Sequence, residues 1–348
     1  MNSKNKIKKN RAIKEWGRAF VLALILLILV KGFVIESFVV SSKTMEKTLQ
    51  SGDYVFVNKL KHGARLPITL LSLPFASNIY STLIELQYIR MPGFGAIERN
   101  DLIVFNYPKE FDPPIDKKKA MVKRCIGLPG DTIQIENKNV FVNHRKFEEP
   151  ATAQYNFRLV TDGTFLDDDF LNKYDITEGG LVSDIGIYDF ALSRNKIEEI
   201  KKNESQVRYI RELKDFKNEN SGHIFPISSY YTFNKDYFGE IIVPKKGMVV
   251  PISARTMELY RPIIEYYEGN EVVIRNNRVY INGKESDSYL IKENYYFVLD
   301  DNRDYAKDSR YFGYVPENHV IGNVLFSWFS IDKSRKKIRW DRVFKSVD

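Results

Sequence analysis

Four hydroxyl side chains, Ser41, Ser42, Thr44 and Thr48, fall within residues 41–49, directly after the one membrane-length apolar run in the chain. A hydroxyl held at a membrane face can be a nucleophile, or it can be interfacial polar filler. It reacts poorly until a base takes its proton. Histidine is the usual base, but His62, His144, His223 and His319 carry no local pattern joining any of them to Thr44 and an orienting carboxylate. A Ser-His-Asp triad therefore has no support. Lysine is the other base, and it needs apolar burial, which disfavours its charged form. Lys123 fits, flanked by Met121, Val122, Cys125 and Ile126 in a run that reads as a buried strand; the competing reading is an edge-strand lysine pointing to water. A third stretch, residues 300–310, alternates acidic and basic residues too densely for a solvated loop.

The elements that must position these groups are legible in outline. Residues 19–30 are uninterruptedly apolar, and a bilayer crossing of roughly 20 residues predicts an anchor helix over 16–36, with Trp16 in one interface and Lys31 reaching towards the other. No small-x-small site follows, so the segment reads as an uncleaved anchor. Residues 54–57, 101–105, 121–126, 295–299 and 320–328 read as strands, and Leu128-Pro129-Gly130-Asp131 as a type II turn. Residues 66–95 read as an unusually apolar loop containing Leu70, Leu71, Leu73, Pro74, Phe75, Ile79 and Tyr80, either a lid over a core or a surface dipping into the outer leaflet. A hairpin at 135–143 returns at 274–282 with the same residue types at Ile135 and Ile274, Asn137 and Asn276, Val140 and Val279, Asn143 and Asn282, by duplication or by shared hairpin chemistry. Between the two lies insertion-like sequence, with helices expected over 193–203 and over 254–268, the latter capped by Ser253, and a strand over 205–213.

The expected organisation is thus a basic tail over 1–15, an anchor over 16–36, a β body from 37–143 and 272–348, and an inserted α+β subdomain over 144–271. The fold class is mainly β with one N-terminal transmembrane helix. The net charge of +8 would suit nucleic acid, yet Lys4, Lys6, Lys8, Lys9, Arg11, Lys14 and Arg18 stand against Glu15 alone near the N-terminus. That bias predicts a cytoplasmic N-terminus and contact with membrane lipid, not a nucleic-acid partner. One cysteine, Cys125, excludes an intramolecular disulfide, and the histidine spacing predicts no metal site.

Taken together, the anchor, Ser42-Lys43-Thr44-Met45-Glu46, Gly52-Asp53, Lys123-Arg124-x-x-Gly127-Leu128-Pro129-Gly130-Asp131 and Asp301-Asn302-Arg303-Asp304-x-x-x-Asp308-Ser309-Arg310 resemble bacterial type I signal peptidases. The resemblance implies a cofactor-free Ser-Lys endopeptidase with a signal-peptidase-like β fold. Its body would lie on the periplasmic face of the inner membrane and remove signal peptides of exported preproteins after small residues. By position, Lys123 is the general base and Ser42 a hydroxyl donor to the oxyanion. Arg124, Asp301, Asp308 and Arg310 are structural charges supporting the lysine strand; if Lys123 stays neutral, these must pair among themselves. Two positions depart from the family pattern: Thr44 stands at the serine nucleophile, and Ala306 where a serine usually positions the lysine. The threonine methyl restricts χ1 and crowds the line of attack. The alternatives are a catalytically silent, membrane-anchored relative that binds preproteins or a partner, and an SOS-repressor-like Ser-Lys autoprotease, against which the anchor argues.

Overall fold

The computed structural model describes residues 2–73, 76–219, 222–332 and 335–347, with side chains described outside 1–12 and 73–78. The first element is helix α1, Asn2–Phe33, whose stretch Ile13–Phe33 is long and apolar enough to span a bilayer and has none of its apolar window buried, although Lys59 reaches Lys31 O at its C-terminal end. The helix stops three residues short of the expected end. Ile35–Val39, strand β1, instead joins the body, because Glu36 turns to an ion pair with Lys59 at 2.6 Å and the strand pairs with its neighbour.

The body is organised on one antiparallel sheet. With β2 as Asp53–Asn58, β3 as Leu102–Asn106, β4 as Ala120–Gly127, β5 as Tyr295–Leu299, β6 as Val315–Pro316 and β7 as Val320–Asp332, its order is β1-β2-β7-β3-β4-β5-β6. These segments are strands because β-branched and aromatic residues fill them, and both faces are covered. All five residues of β3 and of β5 are buried, as continuous apolar runs require when neither face meets water. One core lies between the loop after β1 and strands β2 and β3, built on Met45, Leu49, Val55 and Val104.

Beyond β4 the turn at Leu128 forms as expected, with Gly130 at φ 94 and Asp131 N–H donating to Leu128 O at 2.9 Å. The two similar hairpins, Thr132–Glu136 with Asn139–Val142 and Val272–Arg275 with Arg278–Ile281, repeat in detail. Each turns on two left-handed residues, Asn137 and Lys138 or Asn276 and Asn277. Each then uses an asparagine side chain, Asn143 or Asn282, to accept a backbone N–H at the start of the first strand, that of Thr132 or Glu271, at 2.9 Å. The segment carrying Tyr155, Leu159, Phe190 and Ile200 has a core of its own, whereas residues 224–291 share theirs with Ile126, Ile133 and Phe297. The expected helices start at their caps, Ser193 and Ser253. The second is α-helical over Ala254–Arg261 and widens into a π turn over Pro262–Tyr267, where the proline lacks the N–H that an α turn needs.

Residues 66–95 are only partly the loop expected from their composition, with 86–95 irregular. Thr69–Leu73 and Ala76–Glu85 form a hairpin, and Leu71, Ile79, Leu83 and Ile84 along it are exposed, as is Phe94. That excludes a lid over a core and leaves an apolar face in the open; Pro74 and Phe75 lie outside the described residues.

Candidate active site

The loop bearing the hydroxyls is pinned at its neck. Val40 N–H donates to Asp53 O and Gly52 N–H to Val40 O, both at 2.8 Å, while Ile331 N–H donates to Gly52 O. Gly52 sits at φ 97, and a Cβ there would meet Ile331 O at 2.0 Å, so only glycine closes this neck. Asp53, fully buried, is held by Arg342 at 2.6 Å and Ser330 at 2.7 Å. Within the loop, Met45 and Leu49 are wholly buried, so the turn around Thr44 is anchored by packing as well as by its neck.

This brings the Thr44 hydroxyl 2.9 Å from the Lys123 amine. Lys123 is on β4, only 1% exposed, which excludes the water-facing edge lysine. Ser42 Oγ lies 3.1 Å from Thr44 Oγ1, so the three expected side chains form one contiguous chain of polar atoms. No histidine is hydrogen-bonded to Thr44 among the described residues.

The charged block forms a buried frame behind them. Arg124 grips Asp301 through two bonds of 2.8 and 2.7 Å, and Asp301 also accepts from Thr48 at 2.5 Å and Thr152 at 3.3 Å. Arg310 grips Asp308 at 3.0 and 2.8 Å. Burial pushes both carboxyls up, but their guanidinium partners outweigh it and hold each below the ordinary aspartate range. The block is stitched to the nucleophile loop and to the inserted segment by main-chain bonds: Asn302 N–H donates to Thr44 O at 3.0 Å, and Gln154 N–H to Asp301 O at 2.8 Å. Thr48, one of the four hydroxyls of the loop, is therefore a buried member of the frame.

These four charges pair among themselves as expected, but Asp300, which sequence reading did not single out, is bonded directly to the Lys123 amine. Asp300 is fully buried, its backbone N–H donates to Asp308 Oδ2 at 3.0 Å, and its second carboxylate oxygen accepts from Lys307 N–H at 2.8 Å. Burial raises its carboxyl to about 6, with Lys123 opposing that rise. The sequence signal was the acidic doublet Asp300-Asp301 closing an apolar strand. Register decides their partners: Leu299 faces Arg124 across β5 and β4, so the two acids that follow reach the adjacent Lys123 and Arg124.

A cleft of about 610 Å3 opens beside these groups. Phe38, Val39 and Val40 line one wall and Ala120, Met121 and Val122 the other, with Thr44, Lys123 and Ala306 also on its surface. Both walls are strand edges among the described residues. β1 pairs only with β2, and Ala120 to Lys123 pair with β3 but not with β5. An extended peptide laid in the cleft would find unpaired backbone groups on both sides.

Comparison with known proteins places this geometry in context. The profile of the family described as "Signal peptidase, peptidase S26" matches residues 13–236 and 285–329. The chain is 24% identical over 348 residues to a signal peptidase I of Buchnera aphidicola, covering 96% of this chain and 84% of that protein. It is 30% identical over 171 residues to signal peptidase I S of Bacillus subtilis, 49% of this chain and 71% of that one. A crystal structure of a signal peptidase I from Enterococcus faecalis is 18% identical, covers 66% of this chain and 96% of the other, and gives a TM-score of 0.24, a likeness too weak to add to the sequence match.

Proposed function

We propose that this chain, which belongs to the signal peptidase family, peptidase S26, is a membrane-anchored endopeptidase that removes signal peptides from exported preproteins by a Thr44-Lys123 dyad. The observation that carries the reading is the buried amine of Lys123 lying 2.9 Å from the Thr44 hydroxyl at the floor of a cleft with two strand edges. The preprotein binds extended, completing the edges of β1 and β4, so that small side chains before the scissile bond fit the walls. Lys123 takes the Thr44 proton as the oxygen attacks the carbonyl carbon. The resulting oxyanion is held by Thr44 N–H and by the Ser42 hydroxyl, which rotates from its resting contact with Thr44. The ammonium of Lys123 then protonates the leaving amine, and water hydrolyses the ester by the same route in reverse. Arg124, Asp301, Asp308 and Arg310 hold the strand and loop in register and do not touch substrate. The basic residues in the N-terminal part of α1, ahead of its apolar stretch, support an N-terminus in the cytoplasm and a body on the outer face. The exposed apolar hairpin over 69–85 rests against the outer leaflet.

A second reading has one observation of its own. An amine ion-paired with a buried carboxylate can rest as ammonium, with no lone pair for Thr44, as in a silent relative that binds preproteins without cutting them. Incubating a preprotein that carries a small-x-small site with the chain, Thr44→Ala and Lys123→Ala separates the two. The proposed function requires cleavage that either substitution abolishes. Binding of the preprotein with no cleavage by the unsubstituted chain at any pH would establish the silent reading instead.

A further inference from the structure

Lys123 Nζ has two side-chain partners, and only one of them is the nucleophile. An amine that is to accept a proton from Thr44 must aim its lone pair at that hydroxyl, which requires something to hold its N–H bonds on the other side. Position 306, on the same cleft, is alanine and offers no hydroxyl. Asp300 fills that place from the other end of the block, and it is itself over-determined. Its N–H is fixed by Asp308, which Arg310 clamps, and its outer oxygen is fixed by Lys307 N–H.

We infer that Asp300 is a positioning residue for the general base: its carboxylate aims the Lys123 amine at Thr44 in place of the hydroxyl missing at position 306 and stabilises the ammonium formed during attack. The inference rests on the Thr44-Lys123 reading above. The proton balance is simple. The Thr44 proton passes to the lone pair of Nζ, the Thr44 oxygen bonds to the carbonyl carbon, and the carbonyl π pair moves to its oxygen. The same proton leaves Nζ for the departing nitrogen as the C–N bond breaks. Asp300 remains a carboxylate throughout, and the charge it faces goes from neutral amine to ammonium and back. An orienting carboxylate does the same for histidine in serine hydrolases.

This arrangement has a consequence for pH. The charged groups facing Asp300 are the Lys123 amine in front and Asp308, already neutralised by Arg310, behind; the Thr44 hydroxyl completes the shell. Burial holds the Asp300 carboxyl up at about 6 against the pull of Lys123, so its charge, and with it the hold on the amine, is lost as pH falls through that value.

The test is the pH profile of kcat/KM for preprotein cleavage by the full chain, Asp300→Asn, Asp300→Glu, and Asp300→Ala with and without Ala306→Ser. Asp300→Asn should lower kcat by about tenfold or more, leave KM within about threefold and move the acid limb down by about one pH unit or more. Asp300→Glu keeps the charge but displaces the amine, so kcat should fall about tenfold with the limb in place, which serves if the asparagine chain does not fold. Adding Ala306→Ser to Asp300→Ala should recover about tenfold. An unmoved limb in folded Asp300→Asn, a kcat unchanged in Asp300→Glu, or no recovery from Ala306→Ser would overturn the inference. Lys123→Ala, run alongside, keeps the two failures apart. Cleavage surviving that substitution sinks the dyad itself, whereas cleavage lost there with an unmoved Asp300→Asn profile sinks only the role of Asp300.

Discussion

Removing the Asp301 carboxylate should cost as much stability as a large apolar truncation around the site, and removing its partner with it should restore most of the loss. Asp301 is fully buried and Arg124 is 3% exposed, with paired bonds of 2.8 and 2.7 Å between them. Asp301→Ala leaves the guanidinium with Asn100 O at 3.1 Å as its remaining acceptor and a charge in a site closed to water. Breaking a buried pair from one side costs ~3–5 kcal/mol, while the Thr48 hydroxyl keeps Thr152 Oγ1 at 2.8 Å as a partner. A loss of about 3–5 kcal/mol is a large fraction of the ~5–15 kcal/mol that stabilises a typical domain. The double change Arg124→Met, Asp301→Leu removes both charges into an apolar surrounding and should lose no more than about 1–2 kcal/mol. Urea unfolding of the detergent-solubilised chain, followed by tryptophan fluorescence, measures both. Asp301→Ala within about 1 kcal/mol of the parent, or a double variant as unstable as the single, would refute the buried-pair account.

The pH dependence of the same unfolding midpoint should have two slopes of opposite sign. Asp301 and Asp308 are held below the ordinary value of 3.8, so the stability they contribute is present above about pH 4 and lost as pH falls through their lowered values. Asp300, raised to about 6, contributes most below 3.8 and loses that contribution as pH rises through 6, a slope that Asp300→Asn should flatten. Thr44→Ser removes the methyl that crowds attack and should raise kcat roughly tenfold without changing KM; a slower serine variant in single-turnover cleavage would contradict the steric argument. Ser42→Ala should cut kcat by about 10²- to 10³-fold with KM nearly constant, and a loss confined to KM would assign Ser42 to binding instead.

The strands, the turn at Gly130 and the cap Ser253 were readable because each depends on local chemistry: β-branched runs, a positive φ, a side-chain oxygen for an orphan N–H. The pairing of Lys123 with Thr44 was readable only through family resemblance, since 79 residues separate them and no periodicity joins them. What sequence reading missed depends on register. Whether Asp300 meets Lys123 or solvent is decided by one-residue alignment of β4 against β5, which composition does not encode. The hairpin at 69–85 was missed for a different reason. Its apolar residues follow the pattern of a buried segment, yet Leu71, Ile79, Leu83 and Ile84 are left exposed by the fold.

The central claim is that Thr44 is the nucleophile, and an acid quench during turnover tests it most directly. Mass spectrometry of the proteolysed chain should find the signal peptide esterified to the peptide carrying Thr44, with the adduct absent in Thr44→Ala and in Lys123→Ala. Cleavage that continues in Thr44→Ala, or an adduct on Ser42 in its place, would contradict the account.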